Sequence, residues 1–296
     1  MKRFKNVLVV ASDDGASAPL LESAVQLARR NGATVTLFDV IDPLPERRRF
    51  RRTSIGEVDV EGLIAESRMG DLRGMVETVS EYPVEVDLAF GTKFVEVIRR
   101  VAARGHDLVM VAPDLPKRRL GLAGASTALH LLRKSPVPVW VSSGNGEVAP
   151  DVAVALGPIE PAHQHEALNV ALLQLGSSLA ARQGGSLHVI HAWRLEGESL
   201  LRSNRVGVSD IGVDLLVDEA RREASAGIKM LLDQVAIEVP VIEHVEKGEA
   251  AEVIPSAVAR SGPGVLVMGT LARAGLKGVI MGNTAERVLA GIDTSV

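Results

Sequence analysis

Along the first half of the chain, short runs of branched aliphatic residues alternate with longer stretches whose apolar positions recur at helical spacing. Val7-Leu8-Val9-Val10-Ala11 has the unbroken apolar character of a buried strand. In residues 20–31, Leu20, Leu21, Ala24, Leu27 and Ala28 share one helical face, with Pro19 near the first turn and Asn31-Gly32 as the stop. The same reading predicts a strand at 35–40, a loop, a helix through about 57–81 and a strand at 84–90. A helix at 94–104, a strand at 108–111, a helix at 126–134 and a strand at 137–141 follow. This βαβαβαβαβ order belongs to a doubly wound, Rossmann-like parallel sheet of the α/β class.

Ser142-Ser143-Gly144-Asn145-Gly146 is small and polar, which suits a linker, and after it the plan begins again. Strands are predicted at 152–156, 187–192, 241–245 and 265–268, with helices at 167–183, about 214–235 and about 250–260. Gly91-Thr92-Lys93-Phe94-Val95-Glu96-Val97-Ile98 recurs, one residue shorter, as Gly248-Glu249-Ala250-Ala251-Glu252-Val253-Ile254. Leu108-Val109-Met110-Val111-Ala112 recurs as Val265-Leu266-Val267-Met268-Gly269. Shared order with local matches at the same places argues for duplication, with domains at 1–143 and 150–296. Lys134-Ser135-Pro136-Val137 lines up with Asp293-Thr294-Ser295-Val296, so the fifth strand of the second copy is expected to be missing, truncated or supplied by another chain.

A length of 296 residues accommodates two such domains, and an aromatic share of 3% leaves Val, Leu, Ile and Ala to build the cores. A net charge of −4 gives no electrostatic reason to expect nucleic acid as a partner. The chain has no cysteine, which excludes disulfides, thiolate nucleophiles and Cys-ligated metals. Met1-Lys2-Arg3-Phe4-Lys5-Asn6 leads into only a short apolar run, far below a secretion signal or a membrane span, so a cytoplasmic location without a membrane partner is expected.

The second copy carries the most informative stretch, from Gly269 through Gly275 and Gly278 to Gly282-Asn283-Thr284. It starts at the carboxyl end of a predicted strand and ends as a helix opens, where open α/β sheets bind ligands. Glycines let backbone approach a phosphate, and the N–H groups opening a helix carry partial positive charge. Arg273 and Lys277 would add charge-assisted contacts, and Asn283 and Thr284 would donate hydrogen bonds.

With Gly269, Ala272 and Gly282 at these spacings, the loop resembles the Gly-x-x-Gly, nine residues, Gly-Ser/Thr pattern of nucleotide-binding universal stress proteins. His244-Val245-Glu246-Lys247-Gly248 and Gly282-Asn283-Thr284-Ala285-Glu286 look like the C-terminal half of the family's tandem members. The resemblance covers nearly the whole chain and implies strand order 3-2-1-4-5, a stress-responsive role and an ATP or ADP ligand, with or without Mg²⁺. It implies nucleotide contacts from Gly269, Ala272, Arg273, Gly275, Lys277, Gly282, Asn283, Thr284 and Gly157. Ala272 departs from the second glycine, and Gly157 stands where many ATP-binding members carry an adenosine-contacting Asp. In the first copy Ala112, Leu115 and Ala125 occupy the glycine positions while Ser126-Thr127 survives, and Pro113 and Pro116 stiffen the loop, so that site is expected to bind no nucleotide.

Other candidates read as surface or turn residues. The run Arg47-Arg48-Arg49 with Arg51-Arg52 reads as a solvated loop. His163 and His165 lack a third metal ligand at useful spacing, and His188 and His191, three apart on a strand, point to opposite faces. Asp13, Asp14 and Glu160 suit capping or turns. No nucleophile elbow, His-Glu-x-x-His or Gly-Lys-Ser/Thr motif occurs, and no residue is spaced to position water beside a γ-phosphate. A nucleotide-binding sensor or adaptor is therefore expected over a slow ATPase or a scaffold that binds an apolar ligand or none. Its protein partner is unknown, and the two copies are expected to pair as an intramolecular pseudo-dimer, possibly dimerised further.

Overall fold

The computed structural model describes residues 4–12, 16–45, 50–53, 56–113, 126–143, 149–159, 165–203, 207–270 and 281–296. The chain divides into two compact units, with the division at residues 146 and 147. In the first unit the elements are β1 (Asn6–Val10), α1 (Ser17–Asn31), β2 (Thr34–Ile41), β3 (Phe50–Thr53), β4 (Gly56–Asp59), α2 (Val60–Val79), β5 (Val84–Phe90), α3 (Lys93–Arg104), β6 (Leu108–Val111), α4 (Thr127–Lys134) and β7 (Val139–Val141). The second has β8 (Val152–Ala155), α5 (Glu166–Gln183), β9 (Leu187–Trp193), α6 (Glu198–Leu201), α7 (Asp210–Asp233), β10 (Val241–Lys247), α8 (Ala250–Ser261), β11 (Val265–Met268) and α9 (Asn283–Ala290).

Both main sheets are parallel. The first runs β5-β2-β1-β6-β7, the expected order 3-2-1-4-5, and the second runs β10-β9-β8-β11, the same order with four strands. The first strand of each unit is interior to its sheet, so both of its faces are covered and, apart from Asn6 at the start of β1, its residues are apolar: Val7, Leu8 and Val9 are fully buried, as are Val152, Ala153 and Val154. One core cluster joins β1, β2, β6 and β7 to α3 and α4, and its counterpart joins β8, β9 and β11 to α8 and α9.

The recurring Gly-rich turn has the same backbone cause in both copies. The Gly91 N–H donates to Ile41 O at 3.0 Å and the Gly248 N–H to Trp193 O at 2.9 Å, each with φ above +150°. A Cβ at Gly91 would lie 2.7 Å from Glu96, and one at Gly248 would lie 2.9 Å from Val253, so both positions exclude a side chain. Each turn releases the chain from the third strand into the next helix at the carboxyl edge of its sheet.

Two details differ from the sequence reading. Residues 50–59, expected as loop with a helix from about 57, instead form a hairpin: β3 and β4 pair antiparallel, with Arg51 opposite Val58 and Arg52 opposite Glu57, and α2 starts only at Val60. Arg51 and Arg52 are thus strand residues, whereas Arg47, Arg48 and Arg49 lie outside the described residues. The long helix of the second unit starts at Asp210 rather than near 214, because the Ser209 side chain caps it by accepting from the Gly212 N–H.

Candidate functional site

In the second unit, two strand ends and one helix start frame the expected site. Gly157 follows β8, Gly269 follows the neighbouring β11, and Gly282 opens α9 with its N–H donated to Thr270 O at 3.2 Å. Asn283 and Thr284, exposed in the first turn of α9, complete this edge. Ala272, Arg273, Gly275 and Lys277 lie outside the described residues, as do Asp13, Asp14, Glu160 and His163.

Two of these glycines have local reasons of their own. A Cβ on Gly269 would lie 2.9 Å from Leu168 Cδ2, so its lack of a side chain admits α5 onto the end of β11. The Gly157 N–H donates to Asn169 Oδ1 at 2.9 Å, and Asn169 is buried, so a side-chain amide holds the turn after β8. Among the described residues, the polar groups presented at this edge include the first N–H groups of α9 and the Asn283 and Thr284 side chains. They suit the phosphate end of a ligand better than an adenosine end.

In the first unit the equivalent edge is formed, among the described residues, by the ends of β1, β2 and β6. A cleft of about 880 Å³ is floored by Val10–Ser12, by Asp39–Asp42 and by Val111–Ala112, with α2, Lys93 and Thr127 as its walls. This volume falls within the ordinary range for small-molecule sites. The sequence reading dismissed this edge for its lost glycines. Of those positions, Ala112 forms part of the floor, while Leu115 and Ala125 lie outside the described residues. Ser126 caps α4 by accepting from the Leu129 N–H at 3.3 Å.

The principal feature of the cleft is Asp39, which the motif search passed over. It is only 2% exposed, on β2, and accepts from Arg68 Nε at 2.6 Å and from the Val40 N–H at 2.8 Å. Lys93 Nζ lies 3.3 Å from Asp39 Oδ1 and donates to Ala11 O at 3.1 Å. A buried carboxylate is tolerated only when its charge is balanced and its lone pairs are met, and the three elements β2, α2 and α3 converge to do so. The signal for it was available: one charged residue inside the Val35–Val40 run, whose other members are apolar or Thr36.

Counting back from the shared glycine bonds, Ile41 matches Trp193, so Asp39 matches His191. His191 is also buried, and burial pushes its pKa down to about 4, against a smaller opposing effect from a hydrogen bond to the Leu156 backbone. The second unit thus keeps a neutral ring where the first keeps an ion cluster. Just beyond it, Arg194 pairs with Glu249.

Two other histidines meet across neighbouring strands: His188 Nδ1 lies 2.9 Å from His244 Nε2, and Asp151 lies 3.6 Å from the other His188 nitrogen. Among the described residues no three His, Cys, Asp or Glu side chains are placed to hold an ion. His165 stands at the start of α5 without a capping bond from its side chain. Among the described residues no helix is long and apolar enough to cross a membrane.

The family model for the universal stress protein family matches residues 3–143 and again 154–296. The chain is similar to Universal stress protein E of Salmonella typhi, 27% identical over 98% of this chain and 92% of that protein. Its counterpart in Escherichia coli K12 is 26% identical over the same shares. In fold the chain resembles a protein of unknown function from Pseudomonas aeruginosa PAO1, with TM-score 0.67 and 22% identity over 99% of this chain and 92% of that one. It also resembles a universal stress protein from Archaeoglobus fulgidus, with TM-score 0.61 and 17% identity over 98% and 94%. Two matches of one model, each spanning a βα repeat with the same strand order, account for both halves, and the chain belongs to the universal stress protein family.

Proposed function

We propose that this protein is a cytoplasmic, non-catalytic stress-response sensor or adaptor whose second unit holds an adenine nucleotide, ATP or ADP, with or without Mg²⁺. The observation that carries the reading is the docking of Gly282 on Thr270. It presents the first turn of α9 at the carboxyl edge between β8 and β11. Oriented helix N–H groups with Asn283 and Thr284 suit phosphate oxygens, and Arg273 and Lys277 belong to the loop that joins Thr270 to this turn. Gly157, Gly269, Ala272 and Gly275 complete the proposed contact set. A binding role is preferred to hydrolysis because hydrolysis needs a side chain that positions water at the γ-phosphate, and none is identified among the residues that frame this edge.

The test is isothermal titration of the purified chain with ATP and ADP, with and without Mg²⁺, after denaturing extraction of any carried ligand. One saturable equivalent is expected. An absence of binding at millimolar nucleotide would leave a scaffold or a binder of another ligand as the better reading.

A further inference from the structure

The cleft of the first unit is polarised along its length. Phe94 stacks on His130 with ring centroids 4.3 Å apart, which sets the first turn of α3 beside that of α4 and brings Lys93 and Thr127 to one end. Lys93 Nζ donates one hydrogen bond, to Ala11 O, and is ion-paired with Asp39 at 3.3 Å. An ammonium carries three donors, so these two contacts leave it capacity for a ligand. Asp39 therefore anchors Lys93 in place without saturating it, and the neighbouring Thr127 hydroxyl adds a second donor.

The start of α2 is the apolar part of the lining, whereas Ser67, Arg68 and Asp71 further along the same helix are polar. Val60, Leu63 and Ile64 of α2 face the cleft together with Ile41, and Leu63 is 56% exposed, so a chain of methylenes laid along α2 would remove that surface from water. Asp42 and Asp71 stand on the same lining, and among the described residues they and Asp39 set three carboxylates against the two cations Arg68 and Lys93. That balance opposes a polyphosphate and tolerates a single negative charge held at the Lys93 end.

We propose that the first unit's cleft binds a small amphiphilic monoanion, a carboxylate with a short apolar chain, its head on Lys93 and Thr127 and its chain along α2. The site is separate from the nucleotide reading of the second unit and stands or falls without it.

Calorimetric titration of the full chain with octanoate, and separately with octanol and acetate, tests the assignment. Octanoate is expected to bind with one equivalent and at least about tenfold more tightly than either probe that carries only half of its chemistry. Lys93→Gln is expected to weaken octanoate about tenfold and to leave octanol unchanged. Because Lys93 also balances Asp39, a second variant, Leu63→Glu, alters only the exposed apolar wall. It should repel the chain and weaken octanoate by a similar factor, with an unchanged circular-dichroism spectrum. Octanoate binding no tighter than octanol and acetate, or indifferent to both substitutions, would overturn the proposal. Displacement of octanoate by ATP would also overturn it, by making the cleft a nucleotide site.

Discussion

Asp39 and His191 occupy the same buried position in the two repeats, each two residues before the strand-end carbonyl that accepts the glycine N–H of the next turn. The backbone is the same and the chemistry is opposite. A carboxylate has to import cations, and here Arg68 and Lys93 supply them from two helices. An imidazole meets the same burial by giving up its proton.

Removing the Asp39 charge should therefore cost stability in the first unit. Asp39→Asn leaves two cations facing each other across the cleft with only a neutral amide between them. Both are about a quarter exposed, at 26% and 25%, so solvent screens part of the effect. The expected loss is on the order of 2 kcal/mol, below the usual figure for a fully buried pair. Urea midpoints measure it, and the double variant Asp39→Asn with Lys93→Met should recover part of the loss. Unchanged midpoints would show that the cluster contributes nothing to the fold.

Gly282→Val separates ligand binding from folding in the second unit. Gly282 has φ −68° and ψ 144°, a conformation open to any residue, so the backbone pays no strain. A branched side chain at the mouth of α9 would still obstruct approach to its first N–H groups. Nucleotide binding is expected to disappear while the thermal midpoint stays within a few degrees. Ala112→Gly in the first unit should leave nucleotide binding as it was. Equal affinity of Gly282→Val and the parent would remove this helix start from the site.

The paired turns give a stability prediction that applies twice. Gly91→Ala and Gly248→Ala each place a Cβ on a backbone with φ above +150°, against Glu96 in one unit and Val253 in the other. Each should cost about 1–3 kcal/mol, read as a lowered denaturation midpoint. A neutral result in either would mean that its turn relaxes without loss.

The parallel α/β plan, the duplication and the four-stranded second sheet were legible because apolar runs and repeated segments report directly on buried parallel strands, whereas the strand order came only from the family resemblance. The hairpin of β3 and β4 was not, since Phe50–Thr53 and Gly56–Asp59 are short and polar and their pairing depends on the neighbouring chain rather than on periodicity. At the candidate sites, motif spacing found Gly269 and Gly282 but not the reason for Gly269, because Leu168 lies about a hundred residues away in the sequence. It also missed the first cleft. A glycine pattern detects a phosphate cradle, whereas Asp39, Arg68 and Lys93 are brought together only by folding.

Acid should destabilise the protein in a window set by His191. Its folded-state pKa is lowered from 6.5 to about 4, so between those values the unfolded chain binds the proton and the folded chain does not. Unfolding then takes up protons as the pH falls, and stability is full above pH 6.5, declines toward pH 4 and levels off below it. A shift of that size corresponds to roughly 3 kcal/mol at most. His106, lowered by burial and by Arg100, and His244, lowered by burial and by His188, act in the same direction. Urea midpoints of the parent and of His191→Leu between pH 4 and 8 isolate the contribution. The parent should lose stability more steeply than the variant below pH 6.5, and parallel profiles would show that His191 is not the group that titrates.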